Sequence, residues 1–107
     1  MFNPFNKIPS MKPEEVAEKV GDVQVGFVDV RSPMEYNMGH AKGAVNMPLE
    51  TIPENVEKLK SYKEVYLICQ SGGRSGQATT HLLDKGVNAI NVLGGTSSWR
   101  ALGLPLE

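Results

Sequence analysis

Three short runs most constrain the fold: VGFVDV (25–30), EVYLI (64–68) and AINVL (89–93). Each is largely apolar and rich in β-branched residues, and none alternates polar with apolar positions. A strand with one face in water alternates, whereas a strand covered on both faces does not. Between the runs lie segments with helical spacing. PEEVAEKV (13–20) puts Val16, Ala17 and Val20 on one face, with Pro13 at a first-turn position. TIPENVEKLKS (51–61) opens with a capping-box pattern, Thr51 to Glu54, and carries Ile52, Val56 and Leu59 on one side. SGQATTHLLDKG (75–86) predicts a helix with Ala78, Thr79, Leu82 and Leu83 facing inward and Gly86 just past its end. GGTSSWRALGLP (94–105) reads as a glycine turn and a short helix, capped by Thr96 and stopped at Gly103 and Pro105. The stretch 31–48 reads as a long connection with one helical turn around Pro33–Tyr36. Fully covered strands alternating with helices predict an α/β fold, a parallel β-sheet with helices on both faces. In such sheets ligands bind beyond the carboxyl ends of the strands.

Length and charge narrow the function classes. The 107 residues make one domain's worth of chain, so a single domain over 1–107 is expected. Lys and Arg number 11 against 12 Asp and Glu, which offers no basic patch for nucleic acid and no charged tail. One cysteine excludes an internal disulfide and suits a reducing compartment. That cysteine and two histidines, His40 and His81, lack any zinc-ligand spacing, so neither a metal nor another cofactor is expected. The amino-terminal MFNPFNKIPSM has no signal-peptide pattern, and no apolar stretch approaches the ~20 residues of a membrane span. The expectation is a soluble cytoplasmic protein that binds neither nucleic acid nor membrane.

The only cysteine stands where a strand runs into a glycine loop and then a helix, in CQSGGRSG (69–76). Cys69 directly follows the carboxyl end of EVYLI, the place where such sheets bind ligands. A loop wound so that its N–H groups face inward is an anion-binding nest, and a helix N-terminus adds unpaired N–H groups and a dipole. Gly72 and Gly73 permit the positive φ values that such winding needs. Arg74 contributes a permanent cation, and Ser75 stands where it can cap the helix. Each of these features stabilises a thiolate, so Cys69 is expected to have a depressed pKa and to act as a nucleophile. A lone cysteine at a strand end is more often a small buried hydrophobe. Cysteine, two glycines and arginine in one strand-to-helix loop argue against that plainer reading here.

These residues resemble the rhodanese, or thiosulfate sulfurtransferase, family in its single-domain form. VDVRSPMEYNMGHAKGAVNMPL (28–49) is similar to the family's first signature, through Asp29, Arg31, Glu35, Gly39, His40, Gly43, Ala44, Asn46 and Pro48. YLICQSGGRS (66–75) looks like its active-site strand and loop, and VLGGTSSW (92–99) like its closing Gly-Gly-x-x-x-Trp. Ala41-Lys42 departs from the Ile-Pro often found there, in a surface loop. The resemblance implies a rhodanese-like three-layer domain in which Cys69 takes a sulfane sulfur from thiosulfate or another persulfide donor. The Cys69 persulfide then passes it to cyanide or a cellular thiol, with ping-pong kinetics. It also implies a substrate cradle made by the backbone of Gln70, Ser71, Gly72, Gly73, Arg74 and Ser75, with Arg74 holding the anionic end of the donor.

Two other functions share parts of this pattern. Cysteine-dependent phosphatases and arsenate reductases also set a cysteine and an arginine around an N–H nest, but with five residues between them. Here four residues, Gln70 to Gly73, separate Cys69 from Arg74, which suits a smaller guest such as one sulfur atom. Rhodanese-like interaction modules typically lack the cysteine; with it present, the chain would serve as a persulfide carrier to a partner protein. Asp29, Arg31 and Glu35 are read as structural, with Arg31 and Glu35 spaced for a local ion pair. His40 is read as a structural hydrogen-bonding residue, His81 as a boundary residue and Trp99 as a core anchor. Lys42 and Arg100 are read as solvated charges.

Overall fold

Residues that cannot leave a backbone N–H or C=O unpaired in an apolar interior pair it along the strands, and the three apolar runs do so side by side. The computed structural model describes residues 8–107, so the amino-terminal stretch read above for a leader lies largely outside the described residues. The chain runs β1 (Ser10–Met11), α1 (Pro13–Lys19), β2 (Val25–Asp29), α2 (Pro33–Asn37) and β3 (Val45–Asn46). A 3₁₀ segment (Leu49–Asn55) leads into α3 (Val56–Lys60), then β4 (Glu64–Ile68), α4 (Gly73–Asp84), β5 (Ala89–Val92) and α5 (Gly95–Ala101). The sheet order is β1-β5-β4-β2-β3, with every pairing parallel. The two short edge strands, β1 and β3, are not legible in the sequence as strands, being two residues each.

Side-chain alternation along the central strands divides the core into two layers. Val28, Val30, Val65, Leu67, Cys69 and Ala89 face one side, where Ala78 and Leu82 of α4 and Leu59 of α3 cover them. Phe27, Tyr66, Ile68, Ile90 and Val92 face the other, covered by Val16 of α1 and Trp99 of α5. The α/β sheet with helices on both faces is therefore what forms. Trp99 is the anchor of the second layer: it is buried, its ring centroid lies 5.5 Å from that of Phe27, and its indole N–H donates to the Pro105 carbonyl at 2.7 Å. Gly86, at φ +88, ends α4 as expected, with Gly86 N–H and Val87 N–H donating to Leu83 and Leu82 carbonyls.

The caps expected at Thr51 and Thr96 do not form. Thr51 lies inside the 3₁₀ segment, which starts at Leu49, and its hydroxyl donates to the Pro48 carbonyl at 2.7 Å. The capping box belongs instead to α2: Glu35 N–H donates to Ser32 Oγ at 3.2 Å, and Ser32 N–H donates to the Glu35 carboxylate at 3.1 Å. Pro33 at the first position presets that turn. Thr96 likewise does not cap α5, whose N-cap is Gly94; its hydroxyl donates to the Cys69 carbonyl at 3.0 Å.

Parallel register places the site. Asp29 pairs with Ile68, so β2 and β4 end level with each other, and beyond them Val30 comes level with Cys69 and Arg31 with Gln70. Leu67 pairs with Asn91 of β5. Leu67 and Cys69 point to the same face of the sheet, and so does Asn91, beneath the start of α4.

Candidate active site

Cys69 is 1% exposed, and its sulfur sits at the base of the loop that follows. The Gly72 N–H donates to Sγ at 3.1 Å and the Ser75 hydroxyl lies 3.3 Å from it. Burial pushes the thiol pKa up. The Ser75 hydroxyl and the N–H groups of Ser75, Gly72 and Ser71 outweigh that, leaving it below its ordinary value of 9.0. The donors that favour the thiolate are thus neutral dipoles from the loop and the first turn of α4.

The loop winds through a single left-handed residue. Gly72, at φ +114, is the N-cap of α4. Gly73 is already helical, and a Cβ there would meet nothing within 4 Å, so the expected positive φ at Gly73 is not found. Ser75 does not cap the helix either. Being the third residue of α4, it turns its side chain inward, fully buried, onto Sγ and Asn91.

What aims the loop is α5. Thr96 N–H donates to the Cys69 carbonyl at 2.8 Å, and Ser97 N–H to the Gln70 carbonyl at 3.1 Å. In a trans peptide the C=O and the following N–H point in opposite directions. Holding the Gln70 carbonyl toward α5 therefore directs the Ser71 N–H the other way, toward the sulfur. Gly95 makes the close approach possible: at φ +59, a Cβ would lie 2.5 Å from the Cys69 carbonyl oxygen. The GGTSS segment, read from sequence as a turn and a cap, is the brace of the cradle.

Charges ring this cradle in closed pairs. Arg31 binds Asp29 through Nε at 3.1 Å and Nη2 at 2.9 Å, both residues buried, and also reaches the Gly39 carbonyl at 2.8 Å. Its local pair is therefore Asp29, and the expected Arg31–Glu35 pair does not form. Glu35 instead takes Arg74 in a two-pronged contact, at 2.7 and 2.9 Å. The Arg74 guanidinium, with the Ser32 backbone, holds the Glu35 carboxyl at about 2, well below its usual 4.5. Glu35 thus ties the connection after β2 to the first turn of α4. The α-helical spacing rule pointed to Arg31 because a sequence shows i,i+4 neighbours and not partners across the sheet.

The remaining candidates lie around the loop and do not touch the sulfur. His40 stacks on Tyr36 at 3.6 Å between ring centroids, with Nδ1 2.9 Å from the Tyr36 carbonyl, so Nδ1 carries the proton and donates. His81 is half-buried on α4. Gln70 is exposed and donates to Ser97 Oγ at 2.8 Å. Beside it lies a cleft lined by Arg31, Glu35, Met38, Gly39, Gln70 and Arg100. Arg100, read as a solvated charge, stands in that cleft next to the cradle. Asn91 is a site residue that the sequence reading did not single out. Its signal was available: an amide in the middle of an otherwise apolar, fully covered strand.

The arrangement is a buried cysteine sulfur met by hydrogen-bond donors of the loop, with a part-exposed arginine at its edge. No helix among the described residues is long and apolar enough to cross a membrane. A family model described as the rhodanese-like domain matches residues 12–102. Thiosulfate sulfurtransferase 16, chloroplastic, of Arabidopsis thaliana is 34% identical over 95% of this chain and 96% of its own. A protein named sulfurtransferase from Allochromatium vinosum is 32% identical over 87% of this chain and 89% of its own. The crystal structure of a rhodanese-related protein from Thermoplasma volcanium superposes with a TM-score of 0.83 at 29% identity, over 92% of this chain and 97% of that one. The chain belongs to the rhodanese-like family.

Proposed function

We propose that the protein is a sulfurtransferase that works through a persulfide on Cys69. The thiolate attacks the outer sulfur of a sulfane donor such as thiosulfate. The S–S bond of the donor breaks, its electron pair leaves with sulfite, and the outer sulfur remains on Cys69 as a persulfide anion. A thiophilic acceptor, cyanide or a thiol, then attacks that terminal sulfur, takes it and returns the thiolate. Each half-reaction moves one sulfur atom and needs no outside oxidant or reductant.

The observation that carries this reading is the convergence of the Gly72 N–H, at 3.1 Å, and the Ser75 hydroxyl, at 3.3 Å, on one sulfur, with the Ser71 and Ser75 N–H groups also favouring its thiolate. Preorganised dipoles of this kind stabilise negative charge without having to reorganise when it develops. With Gln70, Gly73 and Arg74 completing the loop, the same cradle would hold the anionic outer sulfur of the persulfide. The short Cys69-to-Arg74 spacing of four residues favours a single sulfur over a tetrahedral oxyanion. Arg74 stands at the rim, where it would meet the sulfonate end of the donor.

The test is an intact-protein mass spectrum before and after incubation with thiosulfate, beside the Cys69→Ser variant. The expected result is a gain of one sulfur atom that cyanide reverses with release of thiocyanate, and no gain in the variant. Gain in the variant, or no gain in the wild-type chain with thiosulfate or with a persulfide donor, would overturn the proposal.

A further inference from the structure

We propose that Asn91 is a positioning residue that sets the basicity of the Cys69 sulfur through the Ser75 hydroxyl. The inference rests on reading Cys69 as the nucleophile, and it adds a group that holds the sulfur back from becoming an inert thiolate.

The Ser75 hydroxyl has one proton to donate. Two acceptors lie within its reach: Asn91 Oδ1 at 2.6 Å and Cys69 Sγ at 3.3 Å. Ser75 is fully buried, Cys69 is 1% exposed and Asn91 7%, so bulk water does not substitute for either partner. The orientation of the amide follows from its other side, where Nδ2 faces the Gly72 carbonyl at 3.5 Å. A flipped amide would set two carbonyl oxygens against each other. Oδ1 therefore faces Ser75 and competes with the sulfur for its proton.

The competition has a different winner in each charge state. With a neutral thiol, S–H donates to Ser75 Oγ and the hydroxyl donates to Asn91, so every polar atom is satisfied. When the thiol proton leaves to solvent, the sulfur becomes the stronger acceptor and the hydroxyl turns to it. Asn91 then loses its donor. The amide thus stabilises the thiol relative to the thiolate and opposes the N–H groups of the loop. A thiolate with a lower pKa is a weaker nucleophile, so this opposition preserves reactivity in a cradle otherwise rich in donors.

The charged groups around the site are paired with one another or line the neighbouring cleft. Arg74 of α4 is held by Glu35 of α2, Arg31 beyond β2 is held by Asp29, and Arg100 of α5 lines the neighbouring cleft. Beneath the site, β4 and β5 contribute no charged side chain at their carboxyl ends, since Glu64 stands at the opposite end of β4.

The test is the pH dependence of alkylation by iodoacetamide, which reports Cys69 alone because the chain has one cysteine. Asn91→Leu keeps the branched shape and removes the acceptor; its midpoint should fall by about one pH unit, because the thiolate no longer leaves a buried amide oxygen without its donor. Its fully ionised rate should fall roughly threefold, as the lower basicity dictates. Ser75→Ala should raise the midpoint, and the double variant should match Ser75→Ala. Asn91→Asp, which keeps the shape and strengthens the acceptor, should raise the midpoint too, and it serves if Asn91→Leu fails to fold. A raised midpoint in Asn91→Leu, an effect of Asn91→Leu that persists without the Ser75 hydroxyl, or a lowered midpoint in Asn91→Asp would overturn the proposal. Sulfur uptake plays no part in this readout. Midpoints that shift as stated in a chain that gains no sulfur from any donor would overturn the sulfurtransferase reading and leave Asn91's role standing.

Discussion

Substituting Gly95 by alanine tests the claim that α5 braces the cradle by close backbone approach. At φ +59 an alanine is strained by about 1–2 kcal/mol whatever the space around it. Here the space is also occupied, since the new methyl would lie 2.5 Å from the Cys69 carbonyl oxygen and 2.6 Å from that of Gln70. Both neighbours are backbone and neither can swing aside, so the first turn of α5 must retreat from the loop. The retreat lengthens three hydrogen bonds: Thr96 N–H and Thr96 hydroxyl to the Cys69 carbonyl, at 2.8 and 3.0 Å, and Ser97 N–H to the Gln70 carbonyl, at 3.1 Å. At a net worth of about 1 kcal/mol each, their weakening and the strain together come to roughly 3–5 kcal/mol. That is a large share of the 5–15 kcal/mol by which a domain of this kind is stable, on the order of a third or more. The control is Gly103→Ala, at φ +71 with nothing within 4 Å of the added methyl, for which only the strain of about 1–2 kcal/mol applies. Urea unfolding followed by circular dichroism and Trp99 fluorescence measures both. A Gly95→Ala variant no less stable than Gly103→Ala would refute the close-approach argument. The folded fraction of Gly95→Ala should also gain sulfur more slowly, because the peptide that aims the Ser71 N–H has lost its anchor.

Arg74→Ala is expected to raise the KM for thiosulfate while leaving the fold nearly intact, as an ion pair with side chains 40% and 35% exposed contributes about 1 kcal/mol or less. An unchanged KM would mean that the backbone donors bind the anion unaided. Glu35 titrates at about 2 in the fold against 4.5 unfolded, so its stabilising effect is complete above pH 4.5 and is lost as pH falls toward 2. Glu35→Gln should therefore be slightly less stable than wild type at pH 7 and equal to it at the acid limit; a gap that widens on acidification would contradict the pairing. The Cys69 pKa is lowered from 9.0, so its thiolate stabilises the fold fully above pH 9.0, and this contribution disappears as pH falls through the folded value. Relative to Cys69→Ser, wild-type stability should accordingly rise with pH up to 9.0; a fall over that range would show that burial outweighs the loop's donors.

The parts of the molecule disagree on how much local pattern means. The capping box at Ser32 and Glu35 and the one expected at Thr51 and Glu54 are the same four-residue motif. The first forms because Pro33 presets its turn; at the second, the chain enters a 3₁₀ segment two residues early and the hydroxyl turns back to Pro48. Glu35 does two things at once, capping α2 and holding Arg74, so the family's first signature and its active-site loop are joined by a contact 39 residues apart in sequence.

The sequence by itself determined the layered α/β sheet, because three runs without alternation leave no face for water and demand helices on both sides. It also located the candidate site, the junction of β4 and α4 around Cys69. Cys69 and Gly72 can be read off a strand-loop-helix junction whose physics is local: a left-handed residue, a helix start and inward N–H groups; Ser75 was legible as a residue of that junction but not as one that turns inward onto the sulfur. The tertiary structure decided everything that depends on two distant segments meeting. It gave Arg74 to Glu35, turned Thr96 from a helix cap into a brace on the Cys69 carbonyl, and brought Asn91 under Ser75. Those partners are settled by parallel register, which aligns the ends of β2, β4 and β5. A hydrogen bond across a sheet leaves no mark on the spacing of residues along either strand, whereas a helix turn or a glycine with positive φ does.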